Sequence, residues 1–146
     1  MKILRSILAV VAGLIVSMIV TSAIQRISVW MYPLPEGTDL NDMEALSKLL
    51  PTMPFGAHLL ILFSWELGAF VGGAVAALIA GRAHCAHAGF IGGLVLAFTI
   101  AIFFMLRGHP EWMIILGLLL PLPVSLLAGK LVSFLVPTPA APASNP

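Results

Sequence analysis

With 60% of its 146 residues hydrophobic, 9% charged and a mean hydropathy of +1.10, the chain falls outside the composition of a soluble domain, in which about a quarter of residues are charged. A net charge of +1 without a basic run or aromatic-basic interleaving excludes a nucleic-acid partner. The single cysteine, Cys85, excludes an intramolecular disulfide and any Cys-x-x-Cys metal or redox pair.

The distribution of apolar residues predicts an all-α polytopic membrane protein: a four-transmembrane-helix bundle with a short amphipathic helix in the first loop. Lys2 and Arg5 precede an apolar run from Ile7 to Ile24. Thr21-Ser22-Ala23 would serve as a leader cleavage site, but the run exceeds the core of about 7 to 15 residues typical of a signal peptide, so a retained span 7–24 is expected. Ala9, Gly13, Ser17 and Thr21 recur at every fourth position and form a stripe suited to close helix packing.

Residues 25–54 are more polar and read as an outer loop. The prolines and glycine of Tyr32-Pro33-Leu34-Pro35-Glu36-Gly37-Thr38-Asp39 force a turn. Asn41 with Glu44 three residues on has the form of a helix start, and Ala45, Leu46, Leu49 and Leu50 follow before Pro51, which predicts a short helix lying at the membrane surface. Asp39, Asp42 and Glu44 lack the glycine and the final acid of a calcium loop, so capping and solvation are their expected roles.

The second span, 55–81, carries Glu66 roughly 16 Å from Phe55, near the midplane of a hydrocarbon layer about 30 Å thick. Gly68, Gly72, Ala76 and Ala80 recur every fourth residue, with Ala69, Gly73, Ala77 and Gly81 beside them. Arg82 to His87 then reads as a turn into a third span, 88–106, bearing Gly89, Gly93, Ala97 and Ala101. The two rows are expected to face each other across an antiparallel hairpin. After Arg107-Gly108-His109-Pro110-Glu111 comes a fourth span, 112–135, with Gly117, Pro121, Ser125, Gly129 and Ser133 at the same interval. Pro121 and Pro123 should kink it, with Ser125 placed to re-satisfy a freed carbonyl. Residues 1–136 thus read as a single transmembrane domain and 137–146 as a disordered tail.

Four spans put both termini on one side, with Lys2, Arg5, Arg82 and Lys130 there against Arg26, Lys48 and Arg107 on the other. The excess places the termini in the cytoplasm, although so close a balance leaves insertion in both orientations open. Trp30, Tyr32 and Trp112 then occupy the outer interface, where amphipathic rings are favoured.

An ionisable group inside a span is a functional-site hypothesis by default, so Glu66 is the first site residue. At about 100° per residue it shares a face with Ala69, Phe70, Gly73 and Ala77 and points into the bundle. Three roles are open: a neutral acid hydrogen-bonded to Ser17, Thr21, Thr99 or Ser125, a carrier of a proton or cation, or a catalytic group. Trp65 needs a partner for its indole N–H, and His58 with His109 and Glu111 could line an outer polar pocket. His84, Cys85 and His87 carry metal-capable atoms, but three ligands in one short turn do not complete a site, and neither a metal nor a cofactor is expected. Ser64 is the sole speculative nucleophile within a span; no catalytic motif assembles around it, and no enzyme activity is predicted.

The Tyr32–Asp39 turn, Trp65-Glu66-Leu67-Gly68 leading to Gly72-Gly73, and His109-Pro110-Glu111-Trp112 together resemble a group of small four-span proteins of the bacterial inner membrane that have no known activity. That resemblance covers most of the chain except the tail and implies a four-span architecture and an inner-membrane location. The four-span plan with one buried acid is also similar to small multidrug resistance transporters. Those carry their acid on the first span and lack so long a first loop. The expectation is a structural or accessory inner-membrane bundle, contacting lipid and a second copy or another membrane protein, with Gly13, Gly68, Gly72, Gly73, Gly89, Gly93 and Gly117 as packing positions. The alternative is a small proton-coupled carrier using Glu66.

Overall fold

The computed structural model describes residues 2–39 and 41–136; the tail expected at 137–146 lies outside the described residues. Six α-helices follow in order: α1 Lys2–Met31, α2 Met43–Leu49, α3 Phe55–Ala80, α4 His84–Met105, α5 Glu111–Leu119 and α6 Pro121–Leu135, with a single 3₁₀ turn, Leu50–Thr52, after α2. No strand occurs among the described residues. Taking α5 and α6 as one interrupted unit, four helices are long and apolar enough to cross a membrane: Ile3–Met31, Phe55–Ala80, His84–Met105 and Glu111–Leu135. They form an up-down bundle with the first loop at one end, called the loop end below, and the chain's start at the other, the terminal end.

Two boundaries differ from the sequence expectation. α1 does not stop at Ile24 but runs through Gln25, Arg26 and Ser28 to Met31. Those polar residues do not break a helix: Gln25 reaches Ser64 on α3, Ser28 is buried and Arg26 is exposed. The second turn is also shorter than Arg82 to His87. Gly81 ends α3 in the left-handed conformation at φ 65°, its N–H bonded to Ala77 O, and α4 begins at His84 after Ala83, which also has positive φ. The helix start in the first loop shifts by one residue: Asp42, not Asn41, is the N-cap and accepts from the N–H groups of Glu44 and Ala45 at 3.0 Å. Asn41 instead bonds Asp39, and Glu44 pairs with Lys48 one turn on at 2.7 Å.

The tightest seam joins α1 and α3, which run antiparallel. A Cβ on Gly13 would lie 2.6 Å from Gly72 O, and one on Gly72 would lie 2.6 Å from Gly13 O, so neither position has room for a side chain. Gly68 continues the seam against Ser17 and Thr21. The row Gly68–Gly72–Ala76 therefore lies on α1, not on α4 as expected, and the Ala9–Gly13–Ser17–Thr21 stripe is what it meets.

The other row of α3 faces α4 and α6: Gly73 opposes Ala88 and Ser125, and Ala77 clusters with Ala88 and Val132. On α4 the inward face is Ala88, Gly92 and Thr99. Gly92 abuts Ser125 and the carbonyl of Pro121, and Gly129 on α6 abuts Ala88 and His84 O. Gly93, Ala97 and Ala101 are exposed, and nothing lies within 4 Å of a Cβ built on Gly93. Gly93 is thus not a packing position within this chain, because it sits one residue, about 100° of helix, away from Gly92. Gly89 remains at the edge, against Leu126, and Gly117 packs on Phe103 and Thr99.

These contacts separate glycines that the sequence treats alike. Gly13→Leu and Gly72→Leu are expected to lower unfolding stability by about 1 to 3 kcal/mol or more through overpacking, whereas Gly93→Leu should stay within about 0.5 kcal/mol. Thermal or denaturant unfolding of detergent-solubilised protein checks the difference; equal effects at Gly72 and Gly93 would contradict the packing.

Candidate functional site

Among the described residues, three buried side-chain polar atoms have no hydrogen-bond partner: both carboxyl oxygens of Glu66 and Nε2 of His58. All three belong to α3, and the two residues lie on its loop-end half. Orphaned buried acceptors and donors are costly, and native folds keep few of them. These atoms define the candidate site.

α3 places them through its two packed rows. Facing α1, Ser64 is fully buried; its hydroxyl donates to Ile61 O at 2.6 Å, and Thr21 Oγ1 donates to Ser64 O at 3.1 Å. Gln25 Nε2 approaches the same hydroxyl at 3.5 Å. Ser64 is therefore a helix-packing residue in a polar seam with α1, and no base stands beside it. Toward the loop end, Trp65 is buried with Leu62 and Met113, in edge contact with Phe103 at 5.7 Å. His109, from the loop between α4 and α5, lies 6.4 Å from the Trp65 ring and 5.0 Å from Phe103, and its Nδ1 donates to Leu106 O at 2.9 Å. His58 is 2% exposed, with Nδ1 at 3.4 Å from Pro54 O.

The structure thus gathers Trp65 and His109 into one aromatic cluster, with His58 close enough to His109 to repel its charged form. Glu111 is exposed and outside it. Glu66 shows none of the four partners expected for it: Thr21 is bonded to Ser64 O, Ser125 Oγ donates to Leu122 O at 2.8 Å, and neither Ser17 nor Thr99 reaches the carboxyl. Ser125 also does not serve Gly117 O or Leu119 O, the carbonyls whose ladder donors are missing because Pro121 and Pro123 have no N–H; it donates to Leu122 O instead. A groove of about 250 Å³ between α1 and α4 is edged by Ser17, Thr21, Gln25, Trp65 and Thr99; Glu66 is not among its walls.

The His84, Cys85 and His87 group lies in the first turn of α4 rather than in a loop. His84 Nδ1 donates to Ala77 O at 3.0 Å, His87 Nδ1 to Ala83 O at 3.1 Å, and Cys85 is exposed. Among the described residues no three His, Cys, Asp or Glu side chains converge as a metal site would require. The sequence reading also missed Arg5, whose Nε donates to Ile79 O at 2.6 Å and caps the terminal end of α3 beside Gly81.

No family model matches the chain, and no curated protein or solved structure is significantly similar to it.

Burial holds His109 below the ordinary imidazole value of 6.5; its bond to Leu106 O acts the other way, and repulsion from His58 adds to the lowering. The unfolded chain therefore takes up the proton first as pH falls. Folded-state stability from His109 is present above about 6.5 and is lost on acidification through and below that value. His109→Gln, which cannot titrate, should flatten the dependence of the unfolding midpoint on pH between about 7.5 and 5.5; an unchanged slope would contradict the assignment.

Proposed function

We propose that the chain is a multi-pass integral protein of the bacterial inner membrane with a structural or accessory role, a compact helix bundle whose lipid-facing surface meets a second copy or another membrane protein. The observation that carries this reading is the reciprocal Gly13–Gly72 contact, which locks α1 onto α3 and makes a rigid unit of helices that have the length and apolarity to span. A broad exposed set of Ile, Leu, Phe and Met side chains on all four long helices supports a lipid setting. For orientation, Arg5, Arg82 and Lys130 mark the terminal end, which suits cytoplasmic termini, and Trp30, Tyr32 and Trp112 mark the loop end as the outer interface.

A second reading, a small proton-coupled carrier, is favoured by the two partnerless oxygens of Glu66. The two separate in sealed vesicles. Under the accessory reading, wild type and Glu66→Gln take up protons no faster than protein-free vesicles, and the variant is at least as stable because it removes an isolated buried acid. Proton uptake by the wild type that Glu66→Gln abolishes would replace the accessory reading with the carrier.

A further inference from the structure

We infer that Glu66 and the backbone carbonyls freed at the α5–α6 break form one binding site for a small monovalent cation, a sodium ion or a proton. This rests on the premise of the carrier reading that Glu66 exchanges a cation, and it does not require transport. The first support is where Glu66 faces. Gly73, two turns further along α3 and on the same side, opposes Ser125 of α6, and Ala77 one turn beyond packs with Val132. Glu66 therefore belongs to the α6-facing row, and both of its oxygens are shielded.

The second support is its level. α3 runs parallel to α5 and α6: Phe55 stacks on Trp112 at 4.9 Å, Trp65 clusters with Met113, Gly73 meets Ser125 and Ala77 meets Val132. Counted seven residues back along both helices from the Gly73–Ser125 contact, Glu66 comes level with Leu118, in the last turn of α5 just before the break at Leu120. Leu116 O still receives the N–H of Leu120 at 2.9 Å, but Gly117 O and Leu119 O face Pro121 and Pro123, which have none to give.

The third is chemical. The carboxyl oxygens and the freed carbonyls are all acceptors, and the carbonyl end of α5 carries partial negative charge. Of the hydroxyls within the bundle, Thr21 is spent on Ser64 O and Ser125 on Leu122 O, and neither Ser17 nor Thr99 reaches the carboxyl. Among the described residues no group donates to either Glu66 oxygen, and the backbone bonds across the break go to Leu116 O and Leu120 O rather than to Gly117 O or Leu119 O. Carbonyls at a broken helix beside an acid are the kind of site that takes a small cation within a membrane.

Other charges do not supply the counterion. On the elements packed against α3, the titratable or charged groups are Lys2, Arg5 and Arg26 on α1, His84, Cys85 and His87 on α4, Glu111 on α5 and Lys130 on α6. All lie toward helix ends; Arg5 is committed to Ile79 O, Arg26 is exposed, and His84 and His87 bond carbonyls. On α3 itself the one other ionisable residue is His58, two turns toward the loop end, near His109.

The test is infrared difference spectroscopy of the purified protein in lipid bilayers, with Glu66→Gln identifying the Glu66 carboxylic-acid band. Sodium chloride is titrated against choline chloride at constant pH, and pH is titrated separately. Loss of the band on adding sodium but not choline identifies sodium as the occupant; a response to pH alone identifies the proton. In Pro121→Ala/Pro123→Ala, which returns N–H donors to Gly117 O and Leu119 O, the sodium midpoint should rise about tenfold, or the pH midpoint shift by about one unit. Midpoints identical to wild type would overturn the shared site while leaving Glu66 as an exchanging acid. A Glu66 band unchanged in both wild-type titrations would overturn the site and the carrier premise together, whether or not the proline variant folds.

Discussion

The close approach of the α1 and α3 backbones at Gly13 and Gly72 is the constraint on which the rest of the bundle depends. Each glycine meets the other's carbonyl at a distance that no side chain would permit. With one row of α3 committed to α1, the adjoining row, which carries Glu66, Gly73 and Ala77, is left to α4 and α6. The orientation of the acid is therefore a consequence of where the glycines fall, about 100° of helix away. In a lipid setting, where hydrophobic burial does not draw helices together, such contact geometry carries much of the association.

That geometry brings an acid to the level at which the fourth long helix loses its continuity. Pro121 and Pro123 each delete one ladder donor, and the serine nearest to them spends its hydroxyl on Leu122 O. Among the described residues no group donates to either oxygen of Glu66. The loop end holds a separate cluster of Trp65, Phe103 and His109, in which burial favours neutral imidazole. The two features share α3 but differ in kind: one is packed aromatic surface reached from a loop, the other an electrostatic imbalance inside the bundle.

Much of the fold was legible in the sequence, because long apolar runs bounded by proline, glycine and charge leave little freedom in choosing helices. The fourth-span interruption was legible for the same reason, since proline acts locally. What depended on neighbours was not. The interval of four residues marks a helix face without saying what it meets, so it points the Gly68 row at α4 although that row packs on α1, and it marks Gly93 rather than Gly92 as the packing residue. Gln25 and Ser28 read as loop because of their polarity, whereas α3 and burial accommodate them within α1. Residue type and depth alone single out Glu66, Trp65, His58 and His109 as candidates. The absence of a hydroxyl partner for Glu66 is not legible in this way, because Thr21 and Ser125 stand at suitable spacing and are diverted to backbone carbonyls.

The most direct measurement of the α1–α3 seam is cross-linking between paired cysteines in native membranes, in a background where Cys85 is replaced by serine. Thr21 Oγ1 sits against the position of a Cβ on Gly68, so side chains at the two positions are in direct contact. The account predicts rapid oxidative cross-linking of Thr21→Cys with Gly68→Cys, and none of Thr21→Cys with Gly93→Cys on the outward face of α4. No cross-link in the first pair, or equal yields in both, would contradict it.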